Sequence, residues 1–343
     1  VTSSVDLARA YYAGQARLAR RTANRVQELW RQMDRGRLTE SWLGLVGPAV
    51  LEAVRAGQLA AAAQADFYLD AVVSADGDDP AEGARVRPSA FAGQASDGRP
   101  LDSLLYLPVI TTKEAIAAGA ADVDAMMRGL NQLLRISATQ VADAGRTAVG
   151  AGIAGRRTIQ GYIRIAAAPC CARCAILAGK EFGWNRGFQR HPRCDCIHMP
   201  ATLIARSARR GTRPIPPQRG LVTDAQSYFN SLSRREQERL FTAAGARAIR
   251  DGADITSIVN ARRGMYTAGA YRHRVAATRE GTTTRGAFYR SERARAIARG
   301  QVPADVGRGF RLRTPRLMPE EIYRLATSRD EAIAMLRRFG YLT

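Results

Sequence analysis

A chain of 343 residues that is 46% hydrophobic is longer than one ordinary domain and carries ample apolar material for a buried core. No apolar run reaches the roughly 18 residues a membrane helix needs, and residues 1–10 are polar where a secretory leader would be apolar, so a soluble chain made in a cytoplasm is expected. Charge is the outlier: 52 Lys+Arg against 31 Asp+Glu leave +21, nearly all of it arginine because Lys113 and Lys180 are the only lysines, and such a surplus asks for an acidic partner, nucleic acid or an acidic protein surface.

In chain order, Leu7, Tyr11, Leu18, Val26, Trp30 and Met33 recur at helical intervals and predict an amphipathic helix that stops at Gly36. A second helix, capped by Thr39 and with Pro48 in its first turns or kinking it, should run to Val73 and fold back on the first as an antiparallel hairpin. Residues 74–100, rich in Asp, Gly and Pro, read as a loop interrupted by a short helix around 89–93. The apolar run 101–107 should end at Pro108, with a new helix capped by Thr112 and continuing towards Val149 as two helices broken near Gly129 or Gly145. Alanines such as Ala115, Ala118 and Ala125 on that face favour close helix packing in a bundle core.

After Gly155 the pattern changes, and residues 171–200 gather the soft ligands. All five cysteines (Cys170, Cys171, Cys174, Cys194 and Cys196) lie in or beside this stretch, with His191 and His198, two of the three histidines. A C-x2-C pair followed by H-x2-C-x-C offers two chelating knuckles to one tetrahedral Zn2+. Cys171, Cys174 and His191, with either Cys194 or Cys196, close the site, which argues for a structural rather than a catalytic ion. If Cys194 and Cys196 lie on one strand, their spacing separates the two sulfurs and favours Cys194; an H-x4-C spacing keeps Cys196 as the rival. Residues 180–182 and 195–199 alternate like two short strands that would pair as a hairpin across the metal, with Trp184 and Phe188 covering it.

Residues 207–220, rich in Arg, Gly and Pro, read as a linker. Beyond it, Asp224 caps a helix to Leu232, Ser233 with Glu236 makes a capping box for a helix to Ala244, and short helices surround Ile249 and Ile255. Pro319 opens another helix, Ser328 with Glu331 makes a second capping box, and Gly340 follows the last apolar positions. The stretch 271–316 between them is basic and poor in large apolar residues, so it should be extended and lie on something else. After Ala201, 28 arginines face 12 acidic residues. Arg262, Arg263, Arg272, Arg274, Arg279, Arg285 and Arg290, interleaved with Tyr266, Tyr271 and Tyr289, suit phosphate-backbone contact or an acidic protein ring, and no base-reading helix follows the second knuckle. Neither G-x-S-x-G nor H-E-x-x-H occurs, no Ser/His/Asp arrangement stands out, and no enzyme is expected.

The order C-x2-C, L-x-G-K-x-F at 177–182, H-P-x-C-x-C and a closing Pro200 resembles the Mu F-like minor head proteins of tailed bacteriophages. The runs at 241–265 and 316–326 resemble the version carried by phages of actinobacteria. The resemblance implies a few copies at the portal vertex inside the head, with portal protein, and the major capsid protein beside it, as partners in head assembly and in the packaging or ejection of DNA. It places the protein in the virion after synthesis in the host cytoplasm, with phage DNA met by the basic C-terminal region and no membrane involved. The expected fold is mainly α: a helical N-terminal region (1–155), a small zinc-stapled α/β module (156–206), a linker (207–220) and a basic, partly extended helical C-terminal region (221–343). The competing class is a zinc-dependent nucleic-acid-binding protein with no capsid role.

Overall fold

The fold is seen in a computed structural model that describes residues 3–80, 83–187, 190–191, 194, 196–204, 220–271 and 273–342. It is mainly α, as the periodicity predicts. Compactness divides the chain into two units, residues 1–168 with 179–221 and residues 169–178 with 222–343. The sheet of the expected 156–206 module therefore counts with the N-terminal helices, and its first cysteine knuckle with the C-terminal residues.

The first unit is built on long helices. Helix α1 (Ser4–Trp30) starts where the Ser3 hydroxyl accepts the Asp6 N–H at 3.2 Å. The return helix arrives in three pieces: α2 (Leu38–Ser41), a π-helical turn (Trp42–Val46) and α3 (Gly47–Ala75). Thr39 does not cap it. Thr39 lies inside the first turn and its hydroxyl accepts from Lys113 Nζ at 3.2 Å. The widened turn ahead of Pro48 lets Gly47 N–H reach back to Trp42 O, just where a proline is about to remove a donor. Contacts of Ser4 with Asp76, Gln15 with Ala61, and Thr22 with Gly57 run in opposite chain directions, so α1 and α3 form the expected antiparallel hairpin.

Three expectations fail in the next pair. Helix α4 (Leu101–Ala117) runs straight through Pro108. Thr112 is not its cap but sits buried in mid-helix, its hydroxyl donating to Pro108 O at 2.8 Å. Helix α5 (Asp122–Ala154) is continuous past Gly129 and Gly145. Those glycines are points of close approach: a Cβ on Gly129 would sit 2.0 Å from Thr112 Oγ1 and 2.9 Å from Trp30, and one on Gly145 would sit 2.3 Å from Gln15 Oε1. Gly129 and Gly145, with the buried Ala115 and Ala125, therefore seat neighbouring helices, whereas Ala118 is exposed just past the end of α4. Val26, Trp30, Trp42, Val50, Leu101, Leu105 and Leu133 pack one core, while Tyr68, Leu69, Val72, Ile153, Ile163 and Ile165 pack a second against the sheet.

That sheet differs from the expected hairpin. Strand β1 (Ile159–Ala167) is its longest and occupies the centre, with β2 (Glu181–Gly183) and β3 (Cys196–Thr202) each antiparallel to it on either side. β2 and β3 thus pair with β1 and not with each other. The short β4 (Leu221–Val222) also pairs with β1. β1 is buried along almost its whole length, so it lacks the alternation that marks a half-exposed strand and reads only as a change of pattern. The Pro-Arg linker at 207–219 lies outside the described residues.

In the second unit, α6 (Ala172–Leu177) packs Ile176 into a core with Phe229, Phe241, Ile258, Val275, Phe288, Leu317 and Phe339. Asp224 caps the helix Ala225–Ser231, accepting Ser227 N–H at 2.7 Å, and Ser233 with Glu236 forms the full capping box of Arg234–Phe241. That helix stops short of Ala244, because Thr242 takes a positive φ of 69° and caps Ala243–Arg250. At the end, Ser328 caps Arg329–Arg338, but Glu331 turns its carboxylate to Thr327 N–H at 2.7 Å instead of closing a box on Ser328. The stretch 271–316 is not simply extended. It holds β6 (His273–Thr278), which joins β5 (Met265–Ala270) and β7 (Arg316–Leu317) in an antiparallel sheet, and the helix Ala287–Ala298. Phe288 and Tyr289 are the few large residues that this helix buries.

Candidate metal centre and basic surface

Cys171 is the N-cap of α6, and its sulfur accepts the Cys174 N–H at 3.4 Å. A backbone N–H aimed at a sulfur three residues earlier is the turn that presents both side chains of a C-x2-C pair to one side and lowers the cost of a thiolate. In the second knuckle the Cys194 N–H donates instead to the backbone carbonyl of His191, three residues earlier, at 3.1 Å. Cys171, Cys174 and His191 each bring a ligand atom within 4.8 Å of the others, and so do Cys174, Cys194 and Cys196. None of the five cysteines is in a disulfide. A tetrahedral zinc with Zn–S bonds of about 2.3 Å holds its ligand atoms about 3.8 Å apart, the same order of separation as within each triad. This Cys/His cluster can hold a metal ion.

Cys174 belongs to both triads. The choice between Cys194 and Cys196 stays open, but the argument from strand spacing does not hold. β3 begins at Cys196, so Cys194 lies outside the strand, and the two sulfurs are within 4.8 Å of each other. Cys194 and Cys196 are both buried, and Cys170 takes no part in either triad; its N–H donates to Tyr228 Oη at 3.1 Å. Trp184 is 54% exposed and lines a cavity of about 370 Å³ with Tyr162, Arg190 and His198, so it does not form a closed cover; Phe188 lies outside the described residues.

Three arginines and an aspartate around the second knuckle were not legible as site residues. Arg146, on α5, donates from Nε to Cys196 O at 2.9 Å and from Nη2 to Cys194 O, gripping both sides of the turn. Asp143, almost wholly buried one turn earlier, pairs with Arg146 at 2.9 Å and with Arg190. Arg164, buried on β1, places Nη2 3.6 Å from Cys194 Sγ, where its charge favours the thiolate. The signal was present only in part: Arg164 stands in an apolar run, which is unusual for a buried strand, whereas Arg146 looks like any helix arginine. His198, opposite Arg164 across the strands, packs edge-on against Tyr162 at 4.4 Å. Burial, then Arg146, Arg164 and Arg190, push its pKa down to about 3, so it is neutral and is not in either ligand triad.

The arginines singled out in the sequence do not form one surface. Arg262 is tied to Glu320 and to Thr242 Oγ1, and Arg263 lies 3.9 Å from Glu280, so both already have carboxylates. Arg279 lies over the Tyr266 ring at 5.2 Å; Arg274, Arg285 and Arg290 are exposed, and Arg272 lies outside the described residues. Tyr289 is buried with its hydroxyl on Phe310 O, and so is unavailable for stacking. Among the described residues, no helix is long and apolar enough to cross a membrane. No family model, no curated protein and no solved structure matches the chain.

Proposed function

We propose that this chain is a Mu F-like minor head protein, bound at the portal vertex inside the head of a tailed phage, with its arginine-rich second unit turned to DNA. The observation that carries the reading is the ligand cluster: the cysteines and histidine whose order supports the resemblance are those gathered into two triads sharing Cys174. Zinc suits this donor set of thiolates and imidazole, and its work here is to cross-link short segments that have little core of their own. Cys171, Cys174 and His191 would hold it with Cys194 or Cys196. Arg146 fixes the second knuckle through its carbonyls, and Arg164 compensates thiolate charge. No catalytic step belongs to this role. The protein is expected to co-purify with portal protein in empty heads; empty particles that lack this chain by mass spectrometry would remove the capsid role.

A second reading, a zinc-dependent nucleic-acid-binding protein outside any capsid, is favoured by the surplus of arginine over acid after Ala201. The same particles separate the two, since residence in heads without DNA belongs only to the first.

A further inference from the structure

Two cavities of the second unit, of about 560 and 270 Å³, share a wall made by Arg311, Arg313 and Thr314. The strap that carries these residues is fixed along its length. Tyr289 Oη donates to Phe310 O at 2.9 Å, and their rings meet edge to face at 5.3 Å. Leu312 points inward onto the core. Arg316 is buried, donates to the carbonyls of Phe339 and Glu280 at 2.7 Å and of Gly340 at 3.1 Å, and lies over the Tyr341 ring at 4.2 Å. With Leu312 turned in, the period of two in extended chain turns Arg311 and Arg313 out, and both are exposed.

The larger cavity adds Arg279, Tyr266 and Thr282 and contains no acidic residue. The smaller adds Arg299 and Glu292, and Glu292 is already taken by Arg338 at 3.3 Å and Arg295 at 3.6 Å. Among the described residues, Arg279, Arg299, Arg311 and Arg313 have no carboxylate within ion-pair distance, although most arginines of this unit that have a neighbouring acid use it. A strap anchored at Phe310, Leu312 and Arg316 that gathers like charges around concave space is costly unless an anion enters. Guanidinium forks match phosphate oxygens two at a time, and Arg279, lying over the Tyr266 ring at 5.2 Å, adds a flat guanidinium plane at the same place.

We propose that Arg279, Arg311 and Arg313 form a phosphate cradle for a single nucleic-acid strand. A duplex presents its phosphates on a stiff convex cylinder with the bases stacked inside, whereas a single strand can follow a concave path and turn a base towards the Arg279 guanidinium plane. This rests on the reading that the second unit meets nucleic acid, and it locates the contact away from most of the arginines that the sequence singles out.

The test uses the full chain and a fluorescein-labelled 12-mer of deoxythymidine, read by anisotropy. Arg311→Gln with Arg313→Gln is expected to weaken binding roughly tenfold or more and to flatten the slope of log affinity against log salt by about 1.4, at about 0.7 per phosphate contact on a single strand. The charge-matched control Arg274→Gln with Arg290→Gln removes two exposed arginines that line neither cavity and should weaken it less than threefold. Both variants change exposed side chains and should melt with the wild type. Equal losses in both variants, displacement of the strand by polyglutamate at equal charge, or a duplex preferred over the strand would each overturn the cradle while leaving the nucleic-acid reading standing. A wild-type protein that binds neither strand nor duplex would overturn both.

Discussion

Gly129 and Gly150 lie on the same helix, α5, yet Gly→Ala should change stability in opposite directions at the two sites. In a helix interior the substitution alone gains about 1 kcal/mol, because alanine loses less backbone entropy on folding. At Gly150 nothing lies within 4 Å of the added Cβ, so the gain should appear undiminished. At Gly129 the methyl would meet Thr112 Oγ1 at 2.0 Å, Pro108 O at 2.9 Å and Trp30 at 2.9 Å. The Thr112 hydroxyl can escape only by giving up its 2.8 Å bond to Pro108 O, a loss of about 1 kcal/mol for a buried hydroxyl. The Pro108 carbonyl is backbone and can move only with α4, and overpacking of this kind costs about 1–3 kcal/mol. Set against the propensity gain, Gly129→Ala should destabilise by about 1–3 kcal/mol, and the two variants should differ by about 2–4 kcal/mol. All three tryptophans (Trp30, Trp42 and Trp184) lie in the first unit, so denaturant unfolding followed by tryptophan fluorescence reports on that unit separately. A Gly129→Ala protein as stable as wild type, or a Gly150→Ala protein that loses stability, would refute the claim that the glycines of α5 differ in what they approach.

Cys174→Ser should abolish stoichiometric zinc by elemental analysis, because Cys174 alone belongs to both ligand triads, whereas only one of Cys194→Ser and Cys196→Ser should do so; a wild-type protein purified without metal would remove the zinc proposal. Arg146→Gln should weaken zinc binding about 10–100-fold in competition with a chromogenic chelator, since it releases the carbonyls of Cys194 and Cys196, and unchanged affinity would reduce Arg146 to packing. Ser233→Ala should cost about 1 kcal/mol of stability through loss of the helix cap. The Ser233 hydroxyl and backbone N–H hold the Glu236 carboxyl below its ordinary value, so its support of the helix is complete above the unfolded value of 4.5 and is lost as pH falls through the lower folded one. The protection factors of the amides at 234–237, corrected for the intrinsic pH dependence of exchange, should therefore fall below about pH 4, and protection that is flat across that range would show that the box contributes nothing.

The sequence alone determined the features that depend on neighbours along the chain. The helical periodicity of α1, the caps at Asp224 and Ser233 and the two cysteine knuckles were all legible, because each is set by residues three or four positions apart. Where local rules pointed wrongly, a distant partner had changed the outcome. Pro108 should have ended a helix and Gly129 or Gly145 should have broken one, yet Pro108 and Gly129 meet in one close packing, and only helices brought together by the fold make a glycine necessary there. β1 lost its alternation because it is buried along nearly its whole length, so nothing in its own residues marked it as the strand to which β2 and β3 would pair. The arginines divide in the same way. Their surplus is a property of composition, but whether a given one meets a carboxylate, as Arg262 meets Glu320, or is left facing a cavity, as Arg311 and Arg313 are, depends on residues far away in the chain. Pairing energy falls off within a few ångströms, so tertiary structure alone decides which charges remain available to a partner.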